Sequence, residues 1–248
     1  MENLFLKLPD SLREIYHSFI DLLLPPSCPL CRKNLDKYEI CNGCLKGFEP
    51  VKSPCCTICG IPFISREGAD HPCGSCITDK PHFDEAASLY LYGGELAEAI
   101  KRLKYSNKTS LASPLAELLC CHSFMASSFD NLVAVPLHKS RLRERGFNQS
   151  QLLASSLAEK CSKKRSSFLL ERIRDTPPQV GMKRARRLEN VKNAFAVRKG
   201  ASVEGKSILL VDDVYTTGAT VMECSRVLKK AGAKEVKVLT LARVVDDY

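Results

Sequence analysis

No stretch of this sequence approaches the roughly 20 uncharged apolar residues that a membrane-spanning helix requires. Its apolar runs are broken by charge, as in IYHSFIDLLL over residues 15–24, where Asp21 sits mid-run. The N-terminus, MENLFLKLPD, lacks the basic segment followed by an apolar one that marks a secretion signal. These two absences point to a cytoplasmic protein with no membrane insertion. The chain also lacks the composition of a disordered polymer, because 44% hydrophobic and 26% charged residues over 248 positions supply material for a core. That length accommodates one large domain or two smaller ones. Acidic residues are scarce in one place. Residues 139–199 hold 17 Lys/Arg against 5 Asp/Glu, net +12, which exceeds the +9 of the whole chain. A block of this kind points to a partner with phosphates, either a nucleotide or a nucleic-acid backbone. The bland alternative is a solvated Arg-rich helical face, but such faces usually mix both signs. Aromatics are scarce there too: Phe147, Phe168 and Phe195 are the only candidates for base stacking in the segment.

Cysteine, by contrast, is abundant. Nine of the 13 cysteines lie between Cys28 and Cys76, and eight of them form C-x-x-C pairs: Cys28/Cys31, Cys41/Cys44, Cys56/Cys59 and Cys73/Cys76. In a reducing compartment this density argues for metal over disulfides. Two residues between thiolates let a tight turn present both sulfurs to one ion, and two such knuckles complete the tetrahedral shell of a structural zinc. Pro29, Gly43, Gly60 and Gly74 supply the turn chemistry. One zinc or two fit the pattern. Sequential pairing (28/31 with 41/44, 56/59 with 73/76) is the simpler topology, and crossed pairing (28/31 with 56/59) stays open. A redox dithiol is disfavoured because the region is turn-rich and lacks a βαβ context. Cys55 reads as a spare, and His71 as a substitute ligand or an ordinary surface residue. Cys120, Cys121, Cys161 and Cys224 read as small packed hydrophobes.

From residue 85 onward, short apolar runs alternate with helical periods. Strands are expected over 86–92, 131–137, 207–211 and 235–244, and helices over 93–105, 111–125 and 219–232. Between them, residues 141–160 read as a loop turning into a helix. The expected organisation is an N-terminal amphipathic helix over 1–25, a cysteine-rich zinc-binding module over 26–80 and an α/β domain over 81–248. Strand–helix alternation implies a doubly wound, mostly parallel sheet.

The most informative stretch is ILLVDDVYTTGAT, residues 208–220. An apolar strand runs into two carboxylates, then into a hydroxyl- and glycine-rich loop and a helix. Backbone N–H groups of the loop and the helix N-terminus make an anion site, to which Thr216, Thr217 and Thr220 add hydroxyls. Gly218 permits close backbone approach. Carboxylates repel phosphate, so Asp212 and Asp213 suit ribose hydroxyls or a bridging magnesium. Phosphate, diol and metal together describe a sugar phosphate.

This stretch resembles the phosphoribosyl-pyrophosphate (PRPP) motif of type I phosphoribosyltransferases. The chain as a whole is similar to the ComF-type competence family, which joins a small N-terminal zinc-ribbon-like module to a type I phosphoribosyltransferase-like domain. The similarity is carried by the C-x-x-C pairs, LKY (103–105), VPLHKSRLRERGFNQ (135–149), DTPPQVGMKRARRLENVKNAF (175–195) and VDDVYTTGAT. It implies that Asp212 and Asp213 are the catalytic ribose-diol carboxylates. It also makes Thr216, Thr217, Gly218, Ala219 and Thr220 the 5′-phosphate cradle. By the same resemblance His138, Lys139, Arg141, Arg143 and Arg145 occupy the pyrophosphate loop, and residues 172–197 form a hood. The implied cofactors are structural zinc and magnesium with PRPP. The implied partners are PRPP or a related ribose phosphate, single-stranded DNA tracked by the basic segment, and a competence protein such as a DNA-uptake helicase. The family points to natural transformation. The alternative is a phosphoribosyltransferase, a pentosyl-transferring enzyme, acting on a small-molecule acceptor in nucleotide metabolism.

Overall fold

The computed structural model describes residues 25–65, 67–161, 168–177 and 182–245. The helix expected over 1–25 falls, all but its last residue, outside this set, as do 162–167 and 178–181 of the basic segment. The chain divides into two compact units, Met1–Lys46 and Gly47–Tyr248.

In the first unit, Ser27 and Asn34 form an antiparallel bridge, and the short helix α1 (Asn42–Leu45) follows Cys41. The sulfurs of Cys28, Cys31, Cys41 and Cys44 gather within 4.8 Å of one another. Burial raises the Cys28 thiol, but backbone N–H groups of Cys31, Cys41 and Leu30 outweigh it and hold the thiol at about 6.

The second unit opens with the other tetrad, whose Cys56, Cys59, Cys73 and Cys76 sulfurs also lie within 4.8 Å. Cys73 is the N-cap of helix α2 (Gly74–Thr78). The pairing is therefore sequential in both tetrads. Burial raises the Cys56 thiol, yet N–H groups of Cys59, Cys73 and Ile58, at 3.4, 3.2 and 3.4 Å from its sulfur, bring it down to about 7. Donors aimed at sulfur favour the thiolate, which is the form that binds metal. His71 and Cys55 lie outside the tetrad. The His71 ring stacks on Phe63 with centroids 4.2 Å apart, and the backbone N–H of Cys55 donates to Asp70 at 2.8 Å. Gly60 is required by contact: its φ is +71°, and a Cβ there would meet the Ala86 carbonyl oxygen at 2.6 Å.

That carbonyl belongs to strand β1 (Glu85–Leu91), to which Ile58 is pinned through its carbonyl oxygen and Ala86 N–H at 2.7 Å. Helix α3 (Gly94–Tyr105) follows, then a 3₁₀ turn, α4 (Ala112–Cys120) and α5 (Ser123–Ala126), so the single helix expected over 111–125 is broken at Cys121–His122. Strand β2 (Asn131–Ala134) stops before Pro136, which has no N–H for a ladder. Next come α6 (Lys139–Arg145), α7 (Gln149–Lys160), β3 (Leu170–Arg172), α8 (Arg184–Val191) and β4 (Phe195–Val197). Strand β5 (Ser207–Tyr215), α9 (Ala219–Lys230) and β6 (Glu235–Arg243) complete the unit.

The main sheet has the order β1-β6-β5-β2, and its neighbours run parallel. Strand β5 is central, which explains its nearly continuous apolar run. Ile208 and Leu210 pack with Val133, Val236 and Val238 and with Val221, Cys224 and Leu228 of α9. The alternate residues, Leu209 and Val211, turn to the opposite face, where α4 and α7 pack. Helices thus cover both faces, the doubly wound arrangement expected. The two-stranded antiparallel sheet β3–β4, with no separate signal in its two three-residue strands, joins the α9 side of the core through Leu170 and Phe195.

Of the four remaining cysteines, only Cys224 packs as expected. Cys224 is fully buried as a small hydrophobe and Cys121 is exposed, but Cys120 and Cys161 pair as a disulfide between the ends of α4 and α7. Their separation of 41 residues hid a proximity that helix packing creates.

With both tetrads assembled, elemental analysis of carefully purified protein is expected to give a ratio near two zinc ions per chain. Chelation is expected to unfold the ribbons, since structural zinc contributes about 10–16 kcal/mol of apparent binding in small modules. A ratio below one would contradict the assignment.

Candidate functional site

At the C-terminal end of β5, Asp212 and Asp213 are 8% and 3% exposed. Burying adjacent carboxylates is costly unless other groups compensate. Two helices supply the compensation. Lys104, in the last turn of α3, places Nζ 2.6 Å from Asp213 Oδ2. Ser150, in the first turn of α7, donates its hydroxyl to Asp212 Oδ1 at 2.7 Å. Asn148 sets the start of α7: its Oδ1 accepts from Ser150 N–H at 3.0 Å, and its amide donates to the Val135 carbonyl at 2.9 Å. Burial and the neighbouring Asp213 charge nevertheless push the Asp212 carboxyl up to about 7. Burial alone would lower the Lys104 amine, but Asp213 prevails and raises it.

Beyond the carboxylates the chain turns through Thr216–Gly218 into α9. Gly218 caps that helix with φ +77°, and a Cβ on it would collide with the Tyr215 ring and hydroxyl. A side chain there would require a strained φ and displacement of the Tyr215 ring. The Thr217 hydroxyl is buried with no hydrogen-bond partner among the described residues. An anion seated on the loop would meet this hydroxyl and the N-terminus of α9.

A cavity of about 780 Å³ opens over the pair, lined by Lys104, Arg141, Ser150, Arg172, Arg187, Asp212, Asp213, Thr216 and Thr220, among others. A second cavity of about 950 Å³ shares Lys104, Tyr105, Arg141 and Pro177 with the first. The expected pyrophosphate loop is folded differently from the reading of 138–145 as loop. His138 caps α6 by accepting from Ser140 N–H, and Gly146 ends the helix at φ +82°. Helical periodicity then separates the basic residues. Arg141 and Arg145, one turn apart, both line the larger cavity, whereas Lys139 and Arg143 are exposed and line neither.

The segment expected to form a hood meets α6 directly. Ser140 donates to Asp175 at 2.7 Å, Arg141 donates to the Thr176 carbonyl at 3.3 Å, and Arg172 bonds the Thr176 hydroxyl. Burial lowers the Arg172 guanidinium, and the Arg141 charge adds to the effect. Lys104, Ser150 and Arg172 are site residues that residue-type reasoning passed over. Lys104 sits inside the LKY piece of the family pattern, but nothing local to it announces a carboxylate partner.

Comparison with known proteins finds matches along most of the chain. Residues 19–77 match the double zinc ribbon domain, and residues 144–247 match the phosphoribosyl transferase domain. The chain is 34% identical over 235 residues to the DNA utilization protein YhgH of Escherichia coli (strain K12), covering 90% of this chain and all of that one. It is 32% identical to competence protein F of Haemophilus influenzae, covering 87% of this chain and 96% of that protein. It is 29% identical to competence protein ComFC of Bacillus subtilis, covering 83% and 84% of the two chains.

The raised Asp212 carboxyl carries a pH signature. Between about pH 4 and 7 the folded chain holds a proton that the unfolded chain has lost, so stability falls as pH rises through that window and levels off above it. Asp212→Asn is expected to remove the slope and to stabilise the free protein at pH 8 by up to about 4 kcal/mol. Urea unfolding of both proteins at pH 5 and pH 8 measures this. A variant less stable than its parent at pH 8 would contradict the reading of a carboxylate buried at a cost.

Proposed function

This chain belongs to the ComF-type competence family, a double zinc ribbon joined to a phosphoribosyltransferase domain, and from that premise we propose that it binds PRPP with magnesium and handles single-stranded DNA in the cytoplasm during DNA uptake. One observation carries the ribose-phosphate part. A buried carboxylate pair stands beside a glycine-capped loop whose Thr217 hydroxyl has no partner among the described residues, so diol acceptors and phosphate donors sit on one strand–turn–helix.

In this reading Asp212 and Asp213 accept from the ribose hydroxyls, while Thr216, Thr217, Gly218, Ala219 and Thr220 hold the 5′-phosphate. Arg141 and Arg172 face the pyrophosphate from α6 and the hood. Lys104, paired with Asp213, orients that carboxylate. Magnesium bound with PRPP neutralises pyrophosphate charge and helps it depart. Lys139 and Arg143, exposed on α6, and Arg186 and Arg187 on α8 supply cations for a DNA backbone. The ribbons offer a docking element for a competence partner such as an uptake helicase.

Transfer of the phosphoribosyl group to a small acceptor is the second reading. The larger cavity favours it, because it shares Lys104, Tyr105, Arg141 and Pro177 with the cavity over the carboxylates and leaves room for an acceptor.

One purified sample tests both. Millimolar PRPP with magnesium is expected to raise the melting temperature, the stabilisation being about 2.7 kcal/mol at 100 times Kd, and replacing Asp212 and Asp213 with Ala is expected to abolish the shift. Single-stranded DNA is expected to bind with a salt slope of about −0.7 per phosphate neutralised. Charge reversal at Arg184, Arg186 and Arg187 should flatten that slope. An unchanged melt in folded protein rules out a working PRPP site. DNA affinity and slope that survive charge reversal remove the DNA track and put the transferase reading first.

A further inference from the structure

Sequence-tolerant binding of single strands needs aromatic faces for bases to stack on as well as cations for phosphates. The basic segment is poor in such residues, but the fold brings one to it from elsewhere. Tyr105 ends α3, 40 positions before Arg145 in the sequence, and its ring lies 5.2 Å from the Arg145 guanidinium. Arg145 is itself held by a 2.5 Å hydrogen bond to Oε1 of Gln149, which is buried at the start of α7. The tyrosine is therefore oriented by an anchored cation, yet 69% of it remains exposed. A large ring at that exposure loses apolar contact with water when another ring covers it.

We propose that Tyr105, oriented by Arg145, is a stacking site for one unpaired nucleobase of single-stranded DNA at the mouth of the ribose-phosphate cavity. The inference rests on the reading that this chain binds single-stranded DNA.

The charges around the ring select a base over a phosphate. The cavity of about 950 Å³ beside Tyr105 is lined by Lys104, Arg141 and Arg145 but also by the carboxylates of Glu144 and Asp175. Lys104 is neutralised by Asp213 at 2.6 Å. The remaining charges balance, an environment that suits a neutral ring bearing donors and acceptors. The exposed cations Lys139 and Arg143 lie on the same short helix as Arg145, outside that cavity, where a backbone could be held while its base enters. Volume is adequate, since small-molecule pockets run from about 300 to 1,000 Å³.

The test compares the full, zinc-loaded chain with its Tyr105→Ala and Tyr105→Phe variants. Each is titrated at several salt concentrations with a labelled thymidine oligonucleotide and with an abasic oligonucleotide of equal length. The parent is expected to prefer the base-bearing strand. Tyr105→Ala should weaken that strand by roughly 5- to 150-fold, leave the abasic strand and the salt slope unchanged, and so erase the preference. Tyr105→Phe should retain it. DNA binding that is intact and indifferent to Tyr105→Ala, or weakened equally for both strands, overturns the stacking site and leaves the DNA reading standing. Failure of the parent to bind either strand overturns the DNA reading and the stacking site together.

Discussion

Two adjacent carboxylates buried at the end of the central strand set the terms for the rest of the larger unit. Each ion taken from water costs several kcal/mol after relaxation, and Asp212 and Asp213 also repel one another. Lys104 and Ser150 offset that cost through a 2.6 Å ion pair and a 2.7 Å hydrogen bond. Those residues reach the pair only because α3 and α7 end and begin at the same edge of the sheet. Even so, Asp212 remains raised to about 7, which marks a buried pair whose negative charge its neighbours do not fully compensate. A chain selected for stability alone would replace the pair with apolar residues, so the arrangement favours binding at the expense of the free fold.

A second constraint ties the zinc-ribbon tetrad at Cys56–Cys76 to the same sheet edge. Arg243 is 3% exposed, lies over the Tyr215 ring at 4.2 Å and donates to the Cys59 carbonyl. Among the described residues no carboxylate pairs with it. Its positive charge instead faces the Cys59 sulfur at 3.8 Å, and four thiolates around one zinc ion carry net negative charge. Tyr215 in turn occupies the space that a side chain at Gly218 would need. Knuckle, arginine, tyrosine and phosphate-type loop therefore form one packed series. It accounts for the second tetrad folding as part of the larger unit.

What was legible in the sequence had local signals. The tetrads follow from C-x-x-C spacing, and the central strand and its loop follow from ILLVDDVYTTGAT, because turn chemistry and strand periodicity act over a few residues. The features missed depend on distant partners. Lys104 and Ser150 look like ordinary helical residues until α3 and α7 converge on β5. Tyr105 looks like a helix-end tyrosine until Arg145 is placed beside it. The small β3–β4 sheet consists of two three-residue strands, too short for alternation to register. The loop expected at 138–145 is helical because His138 caps it and Arg and Leu are good helix formers. Pairing of Cys120 with Cys161 depends on how two helices pack, which no spacing rule encodes.

The central claim is that the carboxylate pair and the glycine-capped loop form a working ribose-phosphate site. Calorimetric titration of the zinc-loaded chain with magnesium PRPP at pH 6.5, in two buffers of different ionisation enthalpy, tests it most directly. The account predicts saturable binding of one ligand per chain, with release of a proton as Asp212 ionises, and loss of that release in Asp212→Asn. Absence of saturable heat in folded protein would contradict the claim, and so would binding whose proton balance is the same in the Asn variant.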